Sequence, residues 1–126
     1  MRRDLNLFRE ILLALEGDPP RDARGWPTLA PAGRTEWEIS YHVKLMHEAR
    51  LLHAKETTSQ DTPIGEERWQ ATHPTSQGHD FLDAARDATV WKKALAKVGG
   101  AFASVAIPVF VDLLVQLGRE QLGLPR

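Results

Sequence analysis

The chain has 126 residues, of which 42% are hydrophobic and 26% are charged, and its formal net charge is −1. These proportions are typical of one compact globular domain and exclude an intrinsically disordered chain. The chain contains no cysteine, which excludes disulfides, thiolate nucleophiles and cysteine-ligated zinc. A cysteine-free chain is compatible with a cytoplasmic location, which we expect here.

The N-terminal segment predicts the first helix. Asp4 is a candidate N-cap, apolar residues follow at helical spacing to Glu16, and Gly17 ends the run. The basic start is similar to that of a secretory signal, but acidic residues interrupt the apolar run and no small-residue cleavage site follows. The connection after this helix is rich in Pro and Gly and has one short extended stretch near residues 26–29.

A Thr-x-x-Glu capping box, formed by Thr35 and Glu38, predicts a second helix of about four turns. Ile39, Val43 and Met46 keep helical spacing and are expected inside the protein. Trp37 is interpreted as a core residue, although an interface role stays open. The exposed face is expected to carry some of the following residues: Glu36, Ser40, Tyr41, Lys44, His47 and Glu48.

Two short segments of strand type, residues 51–58 and 67–75, follow this helix. A turn-rich stretch separates them, which predicts a β-hairpin. One further helix is then expected from residue 75 or 76 to Arg86, and another from Ala88 to Val98, with Trp91 in the core.

The C-terminal region from residue 99 to residue 118 contains a single charge, Asp112, and approaches the length of a membrane span. Pro108 divides it, so we expect no membrane insertion and place Pro108 in the first turn of a helix. Gly99 and Gly100 form a predicted hinge before that helix. We therefore divide the single domain into a core with its following helices, residues 1–98, and a C-terminal apolar helix within residues 99–126.

This last helix is apolar over most of its girth and must be covered, either by the protein's own core or by a second copy. Val111 and Val115 extend the apolar surface around its side. We favour a homodimer, because the hinge and Pro108 separate this helix from the compact unit before it. The residues expected at the dimer contact are Phe110, Leu113, Leu114 and Leu117.

The sequence "GHDFLDAARD", residues 78–87, raises the alternative of a metal-dependent phosphohydrolase site, because adjacent His and Asp residues ligate divalent ions. His42 and His47 are five residues apart, about 140° around a helix, so they do not grip one ion together. Asp80 and Asp83 fall on the solvent face, and Asp87 is placed to cap the next helix. We predict no metal, no cofactor and no catalytic residue.

The order helix, short strand, helix, hairpin, helix is that of a winged helix. "ISYHVKLMHEARLL", residues 39–52, resembles the recognition-helix stretch of small bacterial winged-helix repressors. Together with "RRDLNLFREILLALE", "GHDFLDAARDATVWKKA" and "LGREQLGL", this block is similar to domain-of-unknown-function family 2513, short proteins of bacteria and prophages. The resemblance implies an α+β, mostly helical fold with a winged-helix-like core followed by C-terminal helices, and it implies no assigned activity.

From this fold we predict a non-enzymatic regulatory protein that binds double-stranded DNA; the alternative is a protein–protein adaptor that does not bind DNA. Two features oppose DNA binding. Residues 29–34 leave no room for the helix that braces a recognition helix, and residues 35–74 contain four Lys and Arg against seven Asp and Glu. The residues expected to contact DNA are Arg34, Ser40, Tyr41, Lys44, His47, Lys55 and Arg68.

Overall fold

A computed structural model describes residues 2–63, 67–99 and 105–123, and in these residues the chain forms five α-helices and one two-stranded antiparallel sheet. The architecture is α+β and mostly helical, as the sequence predicts. In chain order the elements are α1 (Leu5–Glu16), α2 (Glu36–Glu48), β1 (Leu52–Glu56), β2 (Trp69–Pro74), α3 (Ser76–Ala85), α4 (Ala88–Val98) and α5 (Ile107–Gln121).

Four of the helices have an N-terminal cap formed by a side chain. The carboxylate of Asp4 accepts hydrogen bonds from two N–H groups of α1, and Asp87 does the same for α4. Thr75 caps α3 through its hydroxyl, while Thr35 and Glu38 form the predicted capping box of α2. Each cap satisfies backbone donors that an isolated helix terminus leaves unpaired. The predicted starts of these helices are therefore confirmed.

The strands β1 and β2 pair as the predicted hairpin, with a bulge between His53 and Ala54. One face of the hairpin packs into the protein through Leu52 and Ala71, and the other face is exposed. The short strand expected near residues 26–29 is reduced to an isolated bridge, which joins Arg21 to Pro27. The winged-helix assignment therefore stays a prediction.

The core lies where α1 meets α2, α3 and the hairpin, and it continues to α4 and α5. Met46 and Val43 are buried as expected, and Ile39 is partly buried at the edge of the core. Trp91 is 4% exposed, which confirms it as a core residue, and its ring lies edge-on to that of Phe110 with 5.4 Å between centroids. Aromatic pairs of this geometry add to the free energy gained by burial alone.

The α5 residues expected at a dimer contact lie instead against the chain's own core, because this helix packs against α3 and α4. Phe110 and Leu114 are fully buried, Leu117 is 6% exposed, and Leu113 is partly buried against the core. Pro108 lies in the first turn of the helix, as predicted. Of the predicted hinge, Gly99 has a positive φ of 47°, and Gly100 lies outside the described residues.

A glycine brings α3 next to the start of the hairpin. Gly78 is buried in the first turn of α3, and a Cβ atom built on it would lie 1.8 Å from the carbonyl oxygen of Leu51. The same carbonyl accepts a hydrogen bond of 3.1 Å from the backbone N–H of Thr75. The absence of a side chain at residue 78 is therefore what allows this approach.

Arg9 joins α1 to the connection between α3 and α4. Its guanidinium donates hydrogen bonds to the backbone carbonyls of Ala85 (2.8 Å) and Arg86 (3.2 Å), and it lies 5.6 Å from the ring centre of Trp91. The last turn of α3 contains no basic residue, and the guanidinium of Arg9 places a positive charge at the carbonyls of this helix end, where a cation is favourable.

Candidate functional site

The exposed face of α2 carries an aromatic pair. Trp37 is 38% exposed, so its expected place in the core is wrong. Its ring lies 6.2 Å from that of Tyr41, one turn further along the helix. Lys44 continues this face and is half-buried, and Glu48 ends it and is exposed. One cation therefore stands on this face beside an acid.

Ser40 does not stand on the exposed face of α2, where the sequence places it. It is only 6% exposed, and its hydroxyl donates a hydrogen bond of 3.2 Å to the carbonyl of Glu67. The same oxygen accepts a 2.9 Å bond from the N–H of Trp69. Ser40 thus fixes α2 to the start of β2, and its hydroxyl is used as donor and as acceptor by backbone groups.

Arg34 is held by three carboxylates rather than presented to a ligand. Its guanidinium lies 2.8 Å from the nearest carboxylate oxygen of Asp4, 3.7 Å from that of Glu10 and 3.6 Å from that of Glu38. The hydrogen bond to Asp4 is the main reason that the pKa of Arg34 lies above its ordinary value. This arginine ties the start of α2 to α1, and its charge is neutralised locally.

A buried histidine completes this junction. His42 is 1% exposed, and its Nε2 accepts a hydrogen bond of 2.9 Å from the N–H of Asp4. Its Nδ1 lies 2.8 Å from the carbonyl of Glu38 and so donates the other bond. Burial lowers the pKa of His42, because a charged imidazolium is poorly solvated there. The ring is therefore neutral and structural.

The remaining predicted contacts are dispersed. Arg68 lies 3.4 Å from the carboxylate of Glu36, and the ring of His47 packs 5.4 Å from that of Trp69. Lys55 is exposed on β1. Among the described residues, Lys44 and Lys55 make no ion pair. The structure does not bring the seven predicted residues together as one basic surface.

A cavity of about 280 Å³ lies between α2, β2 and residues 27–29. Its rim carries the acids Asp22 and Glu36 and the cation Arg68, and Trp69 lines its wall. Arg68 forms an ion pair with Glu36, which leaves the negative charge of Asp22 on the rim, so the cavity does not favour anions such as phosphate.

A larger groove, of about 580 Å³, lies between α3 and α5; we call it the α3–α5 groove. Val111, Val115, Gly118 and Leu122 line one side at a spacing of four, three and four residues. This spacing makes a stripe along α5. Val115 is 42% exposed and Leu122 is 76% exposed, so the stripe is open to solvent.

Three carboxylates form the other side of the α3–α5 groove. They belong to Asp80 and Asp83 on α3 and to Asp87 just after it. Asp83 accepts a 3.0 Å hydrogen bond from Arg86, and Asp87 accepts a 2.9 Å bond from Gln121 besides capping α4. All three acids are exposed, which confirms the expected solvated face.

The acids do not converge on a point that suits a metal ion. Within residues 2–63, 67–99 and 105–123, no group of three or more His, Asp or Glu side chains is placed to hold one. His79, next to Asp80 in the sequence, is exposed on α3. No helix in the same ranges is long and apolar enough to cross a membrane.

Comparison with known proteins places the chain in a family. A protein of Haemophilus influenzae (strain ATCC 51907 / DSM 11121 / KW20 / Rd), described as an uncharacterized protein, is 39% identical over 94 residues, which are 72% of this chain and 73% of the relative. No solved structure matches the chain significantly. The family model described as "Hypothetical protein (DUF2513)" matches residues 2–102. The chain therefore belongs to domain-of-unknown-function family 2513, as its sequence blocks predict.

Proposed function

We propose that this chain is a non-enzymatic protein–protein adaptor, and that its α3–α5 groove binds an amphipathic helix with basic residues. The observation that carries the proposal is the open apolar stripe of α5 beside the three carboxylates of α3 and its C-terminal end. A helix in a groove is a common mode of peptide recognition, in which apolar residues at helical spacing provide the contact.

The dimensions of the groove fit a helix of a few turns. The stripe runs from Val111 to Leu122, which at about 1.5 Å per residue is about 16 Å of helix. Val115 and Leu122 lose contact with water when a partner covers them, and this burial favours association. The carboxylate of Asp80 makes no hydrogen bond within the described residues, so it is available to a lysine or arginine of the partner.

Val115→Asp tests this function, with Val109→Asp as the matched control. Both valines are exposed on α5, but only Val115 lines the groove. In cross-linking and affinity capture from the native host, we expect a partner that wild type and Val109→Asp retain and that Val115→Asp loses. Circular dichroism verifies that both variants are folded. Equal recovery by all three proteins contradicts the proposal.

A second candidate is DNA binding through α2 and the hairpin. It is favoured by Lys44 and Lys55, whose charges no described carboxylate neutralises. Tyr41, which is half-buried, lies on the same face of α2 as Lys44. Fluorescence anisotropy with a mixed-sequence duplex at two salt concentrations tests it. Phosphate contacts predict binding that weakens steeply with salt and that Lys44→Glu with Lys55→Glu removes; no binding at low salt eliminates this function.

Three further features remain proposals. A cytoplasmic location is supported by the cysteine-free sequence. A prophage origin is supported by the resemblance of the four sequence blocks. A homodimer also stays a proposal, and its contact has to lie outside the buried α5 residues Phe110, Leu114 and Leu117.

A further inference from the structure

Two exposed histidines face each other across the hairpin. His53 on β1 and His73 on β2 are partners in the strand register, and their ring centroids are 4.4 Å apart with an interplanar angle of 38°. We infer that His53 and His73 form a two-histidine site for a borderline divalent transition metal ion, Cu²⁺ or Ni²⁺. The remaining coordination positions are open to water or to a donor from a bound molecule.

The ring spacing favours a particular coordination angle. A metal–nitrogen bond of about 2.0–2.1 Å places the centre of each imidazole about 3.2 Å from the ion. Two rings that ligate at about 90° then have centres about 4.5 Å apart, whereas a tetrahedral angle requires about 5.2 Å. The observed centroid distance of 4.4 Å is close to the spacing for the smaller angle, which occurs in the tetragonal complexes of Cu²⁺ and Ni²⁺.

The core holds the backbone that carries both histidines in place before any ion arrives. Leu52 and Ala71 bury the opposite face of the hairpin in the core. At the bulge, the hydroxyl of Thr72 donates a 3.0 Å hydrogen bond to the carbonyl of His53. A site on a fixed hairpin orders few groups when it binds, so two ligands suffice for measurable affinity.

The charge around the pair lowers the affinity without excluding an ion. Lys55 is exposed two residues along β1 from His53, and alternate residues of a strand share a face. Because the side chain of Lys55 is exposed, salt in the solvent screens its charge. A site of two neutral ligands and no carboxylate selects against hard ions such as Mg²⁺, which prefer oxygen ligands.

Isothermal titration of untagged protein with NiCl₂ and CuCl₂ tests the inference. We expect saturation at one ion per chain, tighter binding of Cu²⁺ than of Ni²⁺, and no binding of MgCl₂. His53→Ala and His73→Ala should each weaken Ni²⁺ binding by about 100-fold. Each variant keeps only one histidine ligand, so the second metal–nitrogen bond, which the high effective concentration of the neighbouring ring favours in wild type, is lost. His79→Ala, an exposed histidine on α3, is the matched control and should bind as wild type.

Electron paramagnetic resonance of the Cu²⁺ complex gives a second measurement, in which hyperfine coupling to two imidazole nitrogens is expected for wild type and coupling to one for either hairpin variant. Circular dichroism should be the same for all variants, since both side chains are exposed. Absence of saturable binding at millimolar Ni²⁺, or a loss in His79→Ala equal to that in His53→Ala, overturns the site. Neither result bears on the α3–α5 groove.

Discussion

Gly78 is the residue at which helix propensity and packing predict opposite effects of one substitution. Alanine is better than glycine in a helix by about 1 kcal/mol, so Gly78→Ala in α3 should stabilise if the helix alone mattered. A Cβ atom there would lie 1.8 Å from the carbonyl oxygen of Leu51 and 2.9 Å from its carbonyl carbon, against an ordinary contact of 3.4–4 Å. Both contacted atoms are backbone, so no side-chain rotation relieves the clash.

The hairpin start and α3 must therefore separate by more than 1 Å, roughly the shortfall in contact distance. That movement strains or breaks the hydrogen bond between Thr75 and Leu51, which contributes about 0.5–1.5 kcal/mol. Overpacking of a filled site costs about 1–3 kcal/mol more. After subtraction of the propensity gain, we expect a net loss of about 0.5–3.5 kcal/mol in the free energy of unfolding, measured by urea denaturation with circular dichroism.

Gly118→Ala is the matched control. Gly118 lies inside α5, and a Cβ atom on it would meet nothing within 4 Å, so alanine should stabilise by about 0.5–1 kcal/mol. Equal denaturant slopes for wild type and both variants ensure that the same transition is compared. If Gly78→Ala stabilises as much as Gly118→Ala does, the close approach of α3 to Leu51 is refuted.

Three further substitutions test the core, a buried histidine and an interhelical arginine. Phe110→Ala should destabilise the protein by about 3–5 kcal/mol, whereas alanine at its exposed neighbour Val109 should have little effect. Urea unfolding with light scattering measures this. A folded monomer of unchanged stability would indicate that Phe110 lies at a dimer contact. Burial lowers the pKa of His42, so the unfolded state takes up its proton first and stability should fall as pH drops below about 6.5. His42→Gln should reduce that slope in urea melts between about pH 7.5 and pH 5.5, and an unchanged slope would contradict the assignment. Arg9→Lys should lower the free energy of unfolding by about 1–3 kcal/mol in thermal or urea unfolding, since lysine does not contact both carbonyls and the Trp91 ring as arginine does. An unchanged free energy of unfolding would show that these bonds do not hold α1 to α3.

Features that depend on neighbouring residues could be predicted from the sequence. The capping box of Thr35 and Glu38 needs only four residues, and the side chain of Asp87 bonds to N–H groups two and three residues later. The hairpin follows from two strand-type segments around a turn-rich stretch, and it is found in the register that places His53 opposite His73. Local hydrogen bonding specifies each of these features without knowledge of the rest of the fold.

Features that depend on distant residues could not be predicted in the same way. Ser40 falls on the polar side of α2 by periodicity, yet the N–H that binds it belongs to Trp69, 29 residues away. Periodicity describes one helix at a time and does not say which segment crosses it. Trp37 shows the converse error, because its size and apolarity indicate a core residue although its side chain is 38% exposed.

The C-terminal helix shows a different limit of sequence analysis. α5 is apolar around most of its circumference, so periodicity indicates that it is covered without indicating by what. The structure covers Phe110, Leu114 and Leu117 with the chain's own α3 and α4. Val111 and Val115, which the sequence places at the side of this apolar surface, are the residues left along the groove.

The paired charges of α2 and the uncovered apolar surface of α5 favour the α3–α5 groove over α2 as the binding surface. A DNA-reading helix needs cations that are free to neutralise phosphates, but Arg34 is neutralised by three carboxylates and Arg68 lies beside Glu36. A helix-binding groove instead needs uncovered apolar surface next to a net charge of one sign. The α5 stripe supplies the apolar surface, and the three carboxylates of the lining, from Asp80, Asp83 and Asp87, outnumber its cation, Arg119. Exposed apolar surface bordered by polar residues is typical of a protein interaction site. The α3–α5 groove is therefore the first place to look for a protein partner.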